Sequence, residues 1–250
     1  TLNYYLISGY RNIYKYPLHF FIQKLLYRFP YNHISVSLDI KEHYKKKLRL
    51  ESNLIYNPLY DTNDYYNLKL NPLPKGKINI IIVGSLINVK NHIELFKCVK
   101  SKLKNFCEDN NIHFTVIGSG PFKNKYRNFL IKNNIDHLFS FIGIVDNTYL
   151  YYKNCDFLIS TSKLEGLPTV LIEALCHSKP VISSFQRSVL EIMSEEEFEF
   201  EKMKKLIKKD FIKLNVGYVY SLSDIDQLSK SIKDMILNYK KISKYFNNNS

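Results

Sequence analysis

Cysteine is scarce in this sequence, and the spacing of the few that occur excludes the common structural zinc sites. The four cysteines are Cys98, Cys107, Cys155 and Cys176. No two of them form a Cys-x-x-Cys pair, and no histidine cluster accompanies them. Such isolated thiols are typical of reduced cysteines in a core, so we expect all four to be buried in a cytoplasmic protein. The sequence therefore predicts no metal site.

Long apolar runs and a leader pattern are also missing. No stretch approaches the ~18 apolar residues that indicate a membrane-spanning helix, and the start shows no signal-peptide pattern. The chain opens on Thr1, inside an aromatic segment, so we expect a piece of a longer protein. Residues 17–28 predict a basic amphipathic helix. Packing on a sheet is the preferred interpretation, and contact with a membrane surface is the alternative.

Acidic residues are outnumbered by basic ones. The 36 Lys and Arg against 23 Asp and Glu leave a formal net charge of +13. A basic surface favours nucleic acid, anionic lipid headgroups or anionic substrates, although a general richness in Lys, Asn, Ile and Tyr explains the same excess by composition. Nucleic-acid binding would need charges on one face, and here they are spread over several predicted helices, so no nucleic-acid partner is predicted.

Strand and helix patterns alternate from Ile78 onward. Glycine is rare, and the Gly118-Ser119-Gly120 turn does not complete a G-x-G-x-x-G fingerprint, which argues against a dinucleotide site. Apolar runs predict strands that are buried on both faces, so we predict an α/β fold with a doubly wound, Rossmann-like parallel sheet. The predicted strands are 78–83, 113–117, 139–142, 157–160 and 180–183, with helices at 90–103, 123–133, 147–153 and 224–237.

Ligands of such sheets bind at the carboxyl ends of the strands. Gly84, Gly118, Gly143 and Glu165 each follow a predicted strand, so we expect them at one edge. The segment 57–77 is rich in Pro, Asn, Asp and Tyr, which predicts a linker between a partial first domain (1–56) and a second domain (78–250).

One stretch, residues 162–174, carries the chemistry. It reads as a tight loop followed by a helix, with Pro168 at the first helical position, where its missing N–H costs nothing. The backbone N–H groups of Thr169 and Val170 then form an anion site, for which phosphate is the usual guest. Glu165 lies at the mouth of this site and Glu173 about one and a half turns into the helix. Carboxylates accept hydrogen bonds from sugar hydroxyls, so the arrangement suits a nucleotide-sugar.

These residues closely resemble the donor-site motif of retaining, nucleotide-sugar-dependent glycosyltransferases of GT-B architecture, the group 1 (family 4-like) enzymes. The E-G-x-P-x-x-x-x-E-A frame runs from Glu165 to Ala174, and Pro180-Val181 match the strand that follows. Ser178 stands where the family usually has glycine. The resemblance implies that residues 1–56 end an acceptor-binding domain and that residues 78–250 bind the donor.

The resemblance also assigns roles. It implies that Glu165 contacts the donor sugar near the reacting centre and that Lys90 neutralises the diphosphate, the two catalytic roles. Ser85 takes the place of the usual arginine after the first-strand glycine, so one cation of the usual pair is missing. The further donor-binding residues implied by the motif are Glu173, through the ribose hydroxyls, and Gly166, Leu167, Thr169, Val170, Gly84, Ser85, Gly143 and Ile144, the last two holding the base.

The implied activity is transfer of a hexosyl-type sugar to an acceptor hydroxyl with retention, without metal or cofactor. The expected acceptor is a glycan or a lipid-linked glycan in surface polysaccharide synthesis. We expect a cytoplasmic protein, with peripheral contact to an anionic inner membrane face as an open alternative. The 250 residues alone should bind nucleotide but transfer little sugar. Two other interpretations remain: a non-catalytic nucleotide-sugar-binding remnant and a basic nucleic-acid-binding α/β protein.

Overall fold

The computed structural model describes residues 4–7, 25, 32–58, 71–194 and 199–249 and places their strands in two sheets. Within these residues the smaller sheet has three parallel strands in the order β1-β2-β3. The larger sheet has seven strands in the order β6-β5-β4-β7-β8-β10-β9. The bounds are β1 (Tyr4–Ile7), β2 (Asn32–Ser35), β3 (Asn53–Leu54), β4 (Ile78–Val83), β5 (Ile112–Ile117), β6 (Phe139–Gly143), β7 (Phe157–Ser160), β8 (Val181–Ser184), β9 (Ile212–Leu214) and β10 (Gly217–Tyr220).

The centre of the larger sheet is buried on both faces, which explains its predominantly apolar strands. In β4, Ile80 and Ile82 pack into one layer and Ile81 into the other, because successive side chains point to opposite faces. All three are at most 2% exposed, and burial of each contributes roughly 1.5–3 kcal/mol. The five strands predicted from sequence are present to within one residue at each end, and the predicted doubly wound parallel sheet is confirmed.

Helices cover both faces. One layer holds α2 (His92–Cys98), α3 (Lys104–Asp109), α4 (Lys123–Lys132) and α9 (Ile225–Asn249). The other holds α5 (Tyr149–Asn154), α6 (Thr169–Cys176), α7 (Arg187–Met193) and α8 (Phe200–Leu206). The remaining helix, α1 (Leu38–Leu48), belongs to the segment 32–58.

The predicted start of the helix at 90–103 is wrong. A 3₁₀ turn spans Asn88–Lys90, and Asn91 has a left-handed backbone (φ 52°) that separates this turn from α2. The helical path then continues through a π segment, Val99–Leu103, into α3. Lys90 therefore lies in a turn above the sheet edge and not inside a regular helix.

The end of the chain differs from the prediction in two ways. A short edge strand, β9, pairs antiparallel with β10, although the sequence analysis placed no strand there. The helix predicted at 224–237 extends to Asn249 as α9, because Tyr239 and Ile242 continue the apolar stripe that packs on the core.

The segment 32–58 packs against the larger sheet's helices through a small apolar cluster. Val36, Ile40 and Tyr44 of this segment bury themselves with Leu167 and Ile172. The predicted helix at 17–28 lies outside the described residues except for Leu25, which is helical. Most of the predicted linker lies outside them too, so the division at 57–77 stays a prediction.

The expected burial of the cysteines holds for three of them. Cys98, Cys107 and Cys155 are buried free thiols, and burial raises the pKa of each. Cys176 is exposed, which corrects the expectation. It lies on the outer side of α6, whose buried residues are Leu171 and Ala174, three positions apart on the opposite side.

Candidate functional site

Three glycine-containing turns lie side by side at the carboxyl edge of the larger sheet. The N–H of Gly84, after β4, donates to the carbonyl of Ile117 at 2.9 Å, and the N–H of Gly118, after β5, donates to the carbonyl of Gly143 at 2.7 Å. A Cβ on Gly118 would lie 2.1 Å from the carbonyl oxygen of Gly84. The structure thus brings the predicted edge glycines together, and backbone packs directly on backbone.

Lys90 and Glu165, predicted separately from different parts of the sequence, form an ion pair at this edge. Lys90 Nζ lies 2.6 Å from Glu165 Oε1, and the two side chains are 23% and 12% exposed. Screening by water is therefore reduced, and the attraction is stronger than that of an exposed pair. The ammonium has three N–H donors and the carboxylate two oxygens, so this contact leaves donors on one partner and an oxygen on the other for a ligand.

Two loops meet to form this pair. The stem of Lys90 runs over Gly84, where a Cβ would lie 3.6 Å from Lys90 Cδ. The hydroxyl of Thr161 donates to the carbonyl of Lys90 at 3.1 Å, and the N–H of Lys163 donates to the carbonyl of Val89 at 2.8 Å. These bonds join the turn after β4 to the loop after β7, so residues 75 positions apart meet.

The opposite side of the Glu165 loop is held by residues that the sequence analysis missed. Gln186 Oε1 accepts the N–H of Glu165 at 2.7 Å, and Gln186 Nε2 donates to the carbonyl of Ser162 at 2.8 Å. Ser188 Oγ donates to the carbonyl of Glu165 at 3.1 Å. The available signal was the polar run from Gln186 to Ser188, which follows β8 after Phe185, at the same sheet edge as the loop.

Helix α6 begins one residue later than predicted. Pro168 is the residue before the helix, with a non-helical ψ of 84°, and its carbonyl accepts the N–H of Leu171 at 3.0 Å. The N–H groups of Thr169 and Val170 are therefore the first of the helix and point out of its N-terminus. Leu167 is 7% exposed and packs on α1, which fixes the turn at Gly166.

Glu173 lies in the middle of α6, beside a buried tyrosine. Burial, and after it the Glu173 carboxylate, raise the pKa of Tyr152 well above its usual range. His177 Nδ1 lies 2.8 Å from the carbonyl of Glu173, and its ring stacks on Tyr152. Just beyond the helix, Ser178 has a left-handed φ of 56°, which gives a physical reason for glycine at this position in the family.

The other predicted residues lie along the same edge. Ser85 is exposed in the turn after Gly84. Gly143 ends β6, two strands away from β4, and the side chain of Ile144 beyond it is 82% exposed. The predicted residues therefore spread over the adjacent ends of β6, β5, β4 and β7, about 14 Å across three strand spacings. Gly143 and Ile144 lie away from the Lys90–Glu165 pair.

His92 is a packed residue of this region. It is 3% exposed, and its Nε2 lies 3.1 Å from the carbonyl of Ser85, so Nε2 carries the proton. Burial lowers the pKa of His92 to about 4; the Ser85 bond opposes this shift and the charge of Lys90 adds to it. The imidazole is therefore neutral at neutral pH.

The depressed pKa of His92 predicts acid sensitivity. The unfolded chain binds more protons between pH 6.5 and about 4, so the free energy of unfolding should fall as pH drops through this window and be fully recovered above pH 6.5. Urea unfolding at pH 7 and pH 5 should show that H92Q loses about 2 kcal/mol less than the wild type between the two conditions. H137Q, which removes a half-exposed histidine, serves as the control; equal losses for H92Q and the wild type would contradict the prediction.

The described residues include neither a cluster that could hold a metal ion nor a helix that could span a membrane. No group of three or more His, Cys, Asp or Glu side chains there could hold a metal ion. None of the helices described combines the length and the apolar character needed to cross a bilayer. Metal independence and location stay predictions.

The region of the chain that contains this site is similar to known proteins. A family model described as glycosyl transferases group 1 matches residues 67–250. The chain is 29% identical over 220 residues to the capsular polysaccharide biosynthesis glycosyltransferase CapH of Staphylococcus aureus, which is 82% of this chain and 57% of CapH. It is 31% identical over 105 residues, 42% of this chain and 28% of the relative, to an alpha-1,4-N-acetyl-D-galactosaminyltransferase of Campylobacter jejuni that is named for a glycan on PP-undecaprenol.

Solved structures agree on the fold. Anabaena HepE in complex with UDP-glucose superposes with a TM-score of 0.73 at 15% identity, over 97% of this chain and 65% of HepE. This likeness confirms the predicted Rossmann-like, GT-B-type α/β fold. The chain spans little more than half the length of CapH.

Proposed function

Because the chain belongs to the glycosyl transferases group 1 family, we propose that it is the donor-binding part of a retaining glycosyltransferase, which moves a hexosyl-type sugar from a nucleotide-sugar to an acceptor hydroxyl. The observation that carries the proposal is the Lys90–Glu165 pair. It puts a cation suited to a diphosphate within 2.6 Å of a carboxylate suited to sugar hydroxyls, at the edge of the sheet where ligands bind.

The diphosphate lies, in this proposal, between Lys90 and the N-terminus of α6. Cleavage of the bond between sugar and phosphate leaves negative charge on the leaving group. Lys90 and the N–H groups of Thr169 and Val170 stabilise that charge as it develops. Ser85 offers a hydroxyl and no charge, so Lys90 contributes more than Ser85 to the stabilisation of the leaving group. No metal ion or cofactor is needed in this scheme.

The two glutamates bind the sugars on either side. Lys90 reaches a phosphate with its remaining N–H donors without breaking its bond to Glu165, whose second oxygen accepts a donor-sugar hydroxyl. Glu173 accepts the ribose hydroxyls, and Gly166 lets the ligand approach the backbone of Leu167. Gly143 and Ile144 hold the base at the far end, so an elongated ligand follows the four strand ends.

The relatives suggest the substrates. UDP is the nucleotide proposed first, because HepE was crystallised with UDP-glucose. A surface polysaccharide or lipid-linked glycan is the proposed acceptor, because CapH is named for capsule synthesis and the Campylobacter relative for a glycan on PP-undecaprenol. The alpha linkage in that second name agrees with the proposed retention, since alpha-linked donors then give alpha-linked products.

The acceptor lies, in this proposal, on parts of the whole enzyme beyond residues 78–250. The 250 residues by themselves then bind nucleotide but transfer little sugar. The proposed location is the cytoplasm. Contact with an anionic membrane face is kept as a secondary proposal. Acceptor-dependent turnover by the full-length protein separates an enzyme from a non-catalytic remnant.

Replacing Glu173 tests the nucleotide site. We expect E173Q to bind UDP about 10- to 100-fold more weakly than the wild type, because hydrogen bonds to a charged acceptor contribute about 1.5–3 kcal/mol. Isothermal titration calorimetry measures the affinity, and a thermal-shift screen of UDP-, GDP- and ADP-sugars on the wild type identifies the preferred base.

E201Q is the matched control, because Glu201 is an exposed glutamate on α8 and should leave UDP affinity unchanged. Equal affinity of E173Q and wild type for every nucleotide tested would refute the assignment of Glu173. A wild-type chain that none of these nucleotides stabilises would refute the proposed function itself.

A further inference from the structure

Helix α7 touches both the Glu165 loop and the N-terminal segment 32–58. Toward the loop, Gln186 and Ser188 bind the backbone N–H and carbonyl of Glu165, at 2.7 and 3.1 Å. Ser188 is fully buried, so this contact is shielded from water. The peptide groups on both sides of the Glu165 Cα are therefore fixed by α7, and the direction of the carboxylate depends on where α7 lies.

Toward the segment, α7 presents two charged residues one turn apart. Arg187 forms a bidentate ion pair with Glu42 of α1, at 2.5 and 2.6 Å. This geometry fixes the relative orientation of two planar groups and is the strong form of such a contact. Arg187 also lies over the ring of Phe200 on α8, 5.6 Å from its centroid, which keeps the guanidinium in place.

Glu191, four residues on and on the same face as Arg187, caps the N-terminus of α1. Both of its carboxylate oxygens accept the N–H of Leu38, at 2.8 and 3.0 Å. The hydroxyl of Tyr56 donates to Glu191 Oε1 at 2.8 Å, and burial together with this bond raises the pKa of Tyr56 to about 12. A carboxylate at a helix N-terminus is favoured by the helix dipole, so α1 and α7 are held at two points.

We propose, on the basis of the proposed function, that α7 is a positioning element that sets the Glu165 carboxylate according to the seating of segment 32–58. Gln186 and Ser188 are the positioning residues on the loop side, and Arg187 and Glu191 on the segment side. The segment leads into the smaller sheet through β2 and β3. A shift of the part of the enzyme that contains this sheet therefore changes the contacts to the sugar of the donor. The contacts to its nucleotide stay the same.

The test compares two probes in the full-length protein, UDP and UDP-glucose, by calorimetry. We expect R187A, E42A and Q186A to lower affinity for UDP-glucose about 10-fold, the loss of roughly one or two hydrogen bonds, and to change UDP affinity less than twofold. With UDP-glucose as the donor, kcat should fall by more than KM rises. A purely structural defect would weaken both probes equally.

Matched controls lie just beyond the ends of the same two helices, α1 and α7. E51A breaks the exposed Lys45–Glu51 ion pair near the end of α1, at 2.9 Å. S194A removes a buried hydroxyl, just beyond α7, for which the described residues offer no hydrogen-bond partner. Both should leave the ratio of the two affinities at the wild-type value. The conservative variant R187K should recover part of the loss, because it keeps the charge.

A double variant tests transmission through the helix. If α7 carries the effect, E42A added to Q186A should cause no further loss for UDP-glucose, whereas independent sites would give additive losses. Additive losses, equal losses for UDP and UDP-glucose, or unchanged E42A and R187A proteins would each overturn the inference. A wild-type protein that binds neither probe, and that none of the UDP-, GDP- and ADP-sugars stabilises, would instead overturn the proposed function.

Discussion

Replacement of Lys90 by methionine will lower kcat for sugar transfer by about 100- to 1000-fold in the full-length enzyme. Lys90 is the cation that faces the leaving group in the proposed site, and removal of one preorganised electrostatic group of this kind costs about that factor. Methionine keeps the stem that crosses Gly84, so the packing of the turn is retained. Initial-rate kinetics with a saturating donor measures the effect.

The same variant leaves the Glu165 carboxylate, 12% exposed, without its ion-pair partner, so the folded state should lose about 1–3 kcal/mol. The double variant K90M/E165Q removes both charges and should regain most of that stability but none of the activity. This separates a catalytic loss from a folding defect.

K213A is the matched control for Lys90. Lys213 forms an ion pair of the same 2.6 Å length with Asp234, but its side chain is 56% exposed on the edge strand β9. Such a pair contributes at most about 1 kcal/mol, and kcat should be unchanged. A loss of less than threefold for K90M, or an equal loss for K213A, would contradict the role of Lys90.

Substitution of Gly118 by alanine will destabilise the fold by about 3–5 kcal/mol. Gly118 has φ 133°, a region that side chains rarely occupy, which costs about 1–3 kcal/mol. The added Cβ would also lie 2.1 Å from the carbonyl oxygen of Gly84. Because that neighbour is backbone in the turn after β4, two strand ends must separate, and the clash adds a cost of similar size. Urea unfolding measures the change.

G76A provides the comparison. Gly76 also has a positive φ, 71°, but a Cβ there would meet nothing within 4 Å. Only the backbone strain remains, so we expect about 1 kcal/mol. Similar losses for G76A and G118A would show that the contact between the two turns is relaxed in solution.

Much of the larger sheet could be predicted because its strands are buried on both faces. A nearly continuous apolar run such as Ile78–Val83 has few other interpretations, and its place in the alternation of strands and helices predicts parallel pairing. Strand β9 could not be found in this way. It is three residues long and only half buried, and its pairing with β10 depends on a tertiary contact that leaves no pattern in the sequence.

The candidate site likewise has one part that could be predicted from the sequence and one part that could not. The frame from Glu165 to Glu173 is local, so the loop and the helix could be predicted from spacing, with an error of one residue at Pro168; the anion site stays a prediction. The bonds of Gln186 and Ser188 to Glu165 join residues more than 20 positions apart. Their side chains have no distinctive spacing, and only the sheet order that places β8 beside β7 brings them to the loop.

Two neighbouring turns of the sheet edge tolerate change unequally. At Gly118 the backbone leaves no room for a single extra carbon, whereas a Cβ at Gly143 would meet nothing within 4 Å and Ile144 is 82% exposed. Variation at Ile144 therefore leaves the core undisturbed, whereas a side chain at Gly143 meets no neighbour but carries the backbone strain of its positive φ, 90°. The nucleobase preference proposed for Ile144 is thus open to evolutionary drift and to redesign, while the neighbouring turn at Gly118 stays the same.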